Sequence, residues 1–366
     1  DSQLPSLYEP FSLGDLALSN RIVMAPLTRS RANAQLEPTD LAVTYYQQRA
    51  SAGLIITEAS QVCPEGQGYV STPGIYSAGQ IAGWRRVTDA VHAAGGKICI
   101  QLWHVGRISH RYFQPNHAAP VAPSAIAAKA KVFTPDGLED CSEPRALTAD
   151  EITGLVSIYA QAARNAQQAG FDMIELHGAN GYLIDQFLRD QSNRRTDAFG
   201  GSIENRIRFP LAVIDALCQI YPPHRVGIRL SPAATVHDCE DSAPMDVFST
   251  LVGELGSRRL GYLHLIEGQT RGPRDWRPEV DLQWLKGVFR ESGGLTVMAN
   301  NGYDRQMAEQ AVASGAVDLV AFGVPFIANP DLVLRLQRGV ALNEADSSTF
   351  YKGGPKGYID YPFYSA

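Results

Sequence analysis

"FDMIELHGANGYLIDQFL", residues 171–188, is the stretch on which the fold turns. Its first half is an apolar run of strand length that stops at His177. Asn180 and Tyr182 follow at once, and "YLIDQFL" then resumes with apolar residues at helical spacing. A buried strand that ends in polar side chains and feeds a helix is one unit of a parallel sheet covered on both faces.

The same unit recurs along the chain. Strand-length apolar runs start at Arg21 (RIVMAPL), Gly53 (GLIITEAS), Lys97 (KICIQLW), Phe171, Arg225 (RVGIRLS), Gly261 (GYLHLIE), Leu295 (LTVMANN) and Asp318 (DLVAFG). Helix-patterned segments lie between most of them. "SAGQIAGWRRVTDAVHAAGG" closes on a Gly pair, and "TADEITGLVSIYAQAARNAQQAG" opens with Thr148 and Glu151 at capping-box spacing. Repeated eight times, the pattern predicts a (β/α)8 barrel. A doubly wound open sheet is the runner-up, but "MAPLTRSR" after the first run has no G-x-G-x-x-G. Residues 105–147 are too long for a simple connection, and Pro135-Asp136-Gly137 marks a hairpin excursion there. With no linker-like segment, 1–366 reads as a single domain.

Bulk composition narrows the function. Of 366 residues, 45% are hydrophobic and 19% charged, as in an ordinary globular protein. A net charge of −6 argues against a general nucleic-acid binder. No apolar run is long enough to span a membrane. The start, with Asp1, lacks a signal-peptide pattern and reads as trimmed. Cys63, Cys99, Cys141, Cys218 and Cys239 are scattered and form no C-x-x-C pair, so they read as free thiols of a cytoplasmic protein.

In such a barrel the chemistry sits at the C-terminal ends of the strands. Those ends carry Ala25, Pro26, Leu27 and Thr28; Glu58, Ala59 and Ser60; Gln101, Trp103 and His104; His177, Asn180 and Tyr182; Arg229; Asn300, Asn301 and Gly302; Phe322 and Gly323. His177 and Asn180 can both donate to one ligand oxygen and stabilise negative charge growing there. Tyr182, a phenol of pKa about 10, suits proton donation to a basic carbanion. The bland alternative is that His177 ends a strand and Tyr182 packs. Arg229 needs an acceptor, either a ligand or a structural partner. Gln101 offers a donor and an acceptor to a heterocycle edge. The small residues after the last two strands suit a phosphate. Together these ends look like a flavin mononucleotide beneath a substrate pocket. His104, His110 and His117 share one loop but have no metal-ligand spacing, so no metal is expected.

These residues carry a resemblance. "MAPLTRSRA", "QLWHVGRISH", "HGANGYLIDQFL" and "NRRTDAFGGSIENRIRF" are similar to motifs of the Old Yellow Enzyme family of flavin-dependent ene-reductases, in particular its bacterial branch of xenobiotic, morphinone and N-ethylmaleimide reductases. The likeness runs nearly end to end. It implies a barrel with an N-terminal bottom hairpin, non-covalent FMN, and NADPH or NADH as hydride donor, with NADPH favoured. It places Ala25, Pro26, Leu27, Thr28, Ala59 and Gln101 against the flavin ring and Arg229 near its N1/O2 edge. Asn300, Asn301, Gly302, Phe322, Gly323 and Val324 fall around the phosphate. His177 and Asn180 would hold the substrate oxygen, Tyr182 would donate the proton, and Tyr69, Trp103 and Tyr351 would line the pocket. Electron-poor alkenes are the implied substrates, with no nucleic acid, membrane or protein partner.

The chain departs from the family in two places. Val324 stands where many members carry a phosphate-binding Arg, and Arg305 is the candidate to replace it. The segment "EGQTRGPRDWRPEVDLQW", from Glu267, also differs, so substrate preference does not carry over. The rival functions are a flavin-free lyase or isomerase using His177 and Tyr182, and a flavin- or ligand-binding protein without turnover.

Overall fold

The computed structural model describes residues 4–366; Asp1 lies outside them. Eight strands form the barrel: β1 (Ile22–Met24), β2 (Leu54–Ile56), β3 (Ile98–Trp103), β4 (Met173–His177), β5 (Val226–Leu230), β6 (Tyr262–Ile266), β7 (Thr296–Asn300) and β8 (Leu319–Phe322). Each pairs in parallel with the next, and β8 pairs with β1 to close the cylinder. Every strand is buried on both faces, which is why all of them read as continuous apolar runs rather than alternating ones.

Helices cover the outside. The predicted capping box is present: Thr148 accepts from the Glu151 backbone and Glu151 from that of Thr148, opening Ala149–Gln168. Ser77 and Gln80 do the same for Ala78–Ala93. Trp84, Val87 and Val91 of that helix belong to the main core between helices and strands.

The bottom of the barrel is plugged. The hairpin Phe11–Leu13/Leu16–Leu18 packs Leu13, Leu16 and Leu18 against Cys99, Met173, Tyr262 and Met298 from the barrel interior. Gly227 is required in that layer, because a Cβ there would stand 2.3 Å from the Tyr262 ring. The excursion at 105–147 contains the expected hairpin, Lys131–Thr134 with Gly137–Asp140. Val132 and Cys141 from it pack with Trp103 and Tyr182, so the excursion is a wall of the barrel mouth. All five cysteines are free. Among the described residues no helix is long and apolar enough to cross a membrane.

Candidate active site

The pleat decides which side chains meet in the barrel. Residues two apart on a strand share a face, so Glu175 and His177 both point inward from β4. Register then sets Glu175 beside Gln101, His177 beside Arg229, and Arg229 beside His264. A buried polar layer results. Glu175 accepts from Gln101 Nε2 at 2.7 Å, from the Tyr262 hydroxyl at 2.6 Å and from His264 Nδ1 at 3.0 Å. Burial pushes the Glu175 carboxyl up, but His264, Arg229 and Tyr262 outweigh it and hold the group below its usual range. Burial holds the His264 imidazole below its ordinary value, against the pull of Glu175. Gln101 therefore meets a ligand with one amide edge already committed.

Arg229 is the cation of this layer. Its Nη2 donates to Asn300 Oδ1 at 2.8 Å, while its buried Nε has no partner. Burial lowers its pKa to about 10, so it stays charged at neutral pH. A buried guanidinium with an unmet donor calls for an acceptor. Asn300 is spent on both sides, since its Nδ2 donates to Ala321 O at 2.9 Å; it positions Arg229. Around the rim, Ala25, Pro26 and Ala59 are buried and Leu27 and Thr28 half-buried. A Cβ on Gly323 would stand 3.2 Å from Leu27 Cδ2, which brings the ends of β1 and β8 together. Phe322 is buried and Val324 exposed. These residues suit a heterocycle with a polar edge: an orphaned Nε, a part-used amide and a glycine-lined rim.

Above the layer stand the aromatics. Tyr69, Trp103 and His177 stack in sequence, with centroids 5.5 and 6.2 Å apart. Tyr182 meets all three edge-on, at 6.3, 5.1 and 5.0 Å. Tyr351 lies at the mouth, exposed, under the Arg271 guanidinium at 5.3 Å.

Hydrogen bonds fix what each polar group offers. His177 Nδ1 accepts the Ala179 N–H at 3.2 Å. Burial holds the imidazole well below its ordinary pKa, so it is neutral and its one proton is on Nε2. Asn180 sits at φ +61°, a left-handed conformation that Asn tolerates. Its N–H donates to Ser231 Oγ at 2.8 Å, and its carbonyl accepts from His237 Nδ1 at 2.6 Å. Thr270 Oγ1 donates to Asn180 Oδ1 at 2.6 Å, leaving Nδ2 as the free donor. The Tyr182 hydroxyl lies 2.6 Å from that of Tyr69. Burial raises Tyr182 to about 12, although the Tyr69 bond and Arg271 pull it down. The trio thus presents two N–H donors and a protonated phenol.

Three groups escaped the sequence reading. Tyr69 is a partner of Tyr182 as well as a lining residue. Thr270 and Arg271 come from the segment after β6 that starts at Glu267, which has no periodicity to announce them. Glu175, Tyr262 and His264 were hidden inside apolar runs, where strand alternation was the available signal. Arg305 pairs with Glu309 at 3.0 Å, on the helix Arg305–Ala313.

Comparison with known proteins gives the family. Residues 6–343 match the model of the NADH:flavin oxidoreductase / NADH oxidase family. The chain is 45% identical over 364 residues to 12-oxophytodienoate reductase 1 of Oryza sativa subsp. japonica, covering 98% of this chain and 93% of that one. It is similar to a structure of morphinone reductase in complex with tetrahydroNAD, with TM-score 0.92, 48% identity and coverage of 99% and 98%. An old yellow enzyme homologue from Zymomonas mobilis superposes with TM-score 0.91 at 40% identity, covering 98% and 99%.

Proposed function

The chain belongs to the NADH:flavin oxidoreductase / NADH oxidase family, the Old Yellow Enzyme family, and is an FMN-dependent NAD(P)H oxidoreductase; from that membership we propose that it reduces electron-poor alkenes such as enones, maleimides and nitroalkenes. The observation that carries the proposal is the His177 ring held edge-on to Tyr182 at 5.0 Å, beside an Asn180 amide whose oxygen is taken up by Thr270. We take 1–366 to work as one FMN-binding unit.

In this reading Arg229 and Gln101 of the polar layer would hold the pyrimidine edge of the flavin. Bound FMN would supply hydride chemistry, taking hydride from a reduced nicotinamide and giving it to the β-carbon of the alkene. His177 Nε2–H and Asn180 Nδ2–H hold the activating oxygen and stabilise charge developing on it. Neutral His177 donates without itself surrendering a proton. Tyr182 delivers its phenolic proton to the α-carbon, and the Tyr69 hydroxyl then donates to the phenolate left behind. Trp103 and the excursion wall pack over Tyr182 and keep bulk water from its hydroxyl.

The test is anaerobic. A yellow protein that bleaches with NADPH and regains colour on adding cyclohexenone bears the reading out. A protein that bleaches but is not recoloured by any of the three alkene classes is an oxidoreductase with a different acceptor.

A further inference from the structure

The ends of β7 and β8 are where barrels of this kind bind phosphate, and here that rim has a charge problem. Asn301 and Gly302 adopt φ +97° and +73° after β7, and Gly323 follows β8. These offer neutral backbone donors. Val324 adds no charge, and Arg305 is turned outward onto Glu309.

Arg274, from the same segment after β6, lies directly on this turn. Its Nη1 donates to Asn301 O at 2.5 Å and pairs with Glu267 Oε1 at 3.1 Å. Its guanidinium stacks over Tyr303 at 4.4 Å. Its Cδ would be 3.1 Å from a Cβ on Gly302, so the glycine makes room for the arginine stem. Glu267 is already occupied: Lys286 Nζ lies at 2.5 Å and the Tyr303 hydroxyl at 2.5 Å. Two cations share one carboxylate, which leaves a positive charge in surplus beside the Asn301-Gly302 turn. The bonds of Arg274 to Asn301 O and Glu267 both come from Nη1, and the side chain stays 34% exposed.

We propose that Arg274 is the cation that holds the phosphate of the flavin nucleotide, in place of the arginine missing at Val324. The inference rests on the FMN reading and adds the residue that recognises the phosphate. A planar, part-exposed guanidinium beside backbone N–H groups is suited to a phosphate dianion.

FMN and riboflavin differ only in the phosphate, so the pair isolates this contact. Apoprotein is titrated with each flavin, read by quenching of flavin fluorescence, for the wild type, Arg274→Ala and Arg305→Ala. Arg274→Ala should weaken FMN by about tenfold or more, the scale of a bond to a charged group, and leave riboflavin within about twofold. Added salt should weaken FMN less in that variant than in the wild type. Arg305→Ala should bind both flavins like the wild type. Equal weakening of both flavins would reduce Arg274 to a fold-holding residue and overturn the proposal. So would unchanged FMN binding, or a selective FMN loss in Arg305→Ala. Wild-type protein that binds neither flavin would overturn the FMN reading itself.

Discussion

The hydroxyls of Tyr69 and Tyr182 lie 2.6 Å apart, and both rings are held against Trp103. This makes Tyr69 the group that receives the consequence when Tyr182 gives up its proton. Tyr69→Phe should slow the alkene half-reaction by about tenfold, the scale of a bond to a charged partner. Reduction by NADPH should be unchanged. Stopped-flow absorbance separates the two, and an equal effect on both would deny the partnership.

Thr270 fixes which end of the Asn180 amide faces a substrate. Thr270→Val should raise KM for cyclohexenone by about fivefold, the scale of one neutral hydrogen bond. In an Asn180→Ala background the same change should add nothing, because the two act as one unit. Additive losses would show that Thr270 acts elsewhere.

The pH dependence follows from two shifts. His177 is held well below its ordinary value by burial, so it is already neutral at pH 6. Tyr182, raised to about 12, stays protonated through pH 9. Alkene turnover by the reduced enzyme should therefore be flat from pH 6 to 9. A fall through pH 6.5 with rising pH would mean that His177 works as the imidazolium.

Glu58 predicts a stability effect of definite sign. Burial raises its carboxyl to about 7, although the Tyr46 hydroxyl at 2.5 Å works against that. A raised carboxyl favours the protonated fold, so its contribution is full below about pH 4.5 and is lost as pH rises through 7. Tm should fall from pH 5.5 to 8.5, and Glu58→Gln should shrink that fall. A fall of the same size in the variant would assign it to other groups.

Much of this was legible in the chain. The βα unit at 171–188 gave strand, polar end and helix in one line, and repetition made it a barrel. His177, Asn180 and Tyr182 were readable because they are neighbours in sequence. Glu175 and His264, 89 residues apart, meet only through strand register. Arg305 shows the limit of proximity in sequence: it follows the Asn301-Gly302 turn, yet as the first residue of a helix it faces Glu309. Arg274, 28 positions before Gly302, is the residue that reaches the turn.

The most direct test of the account is Tyr182→Phe, with its half-reactions timed separately. The phenylalanine ring keeps the packing against Trp103 and removes the proton. Reduction by NADPH should stay within about twofold of wild type. Reoxidation by cyclohexenone should slow by about 10² to 10⁴, the range for loss of a general acid. Reoxidation at the wild-type rate would contradict the account, because the proton would then come from another source.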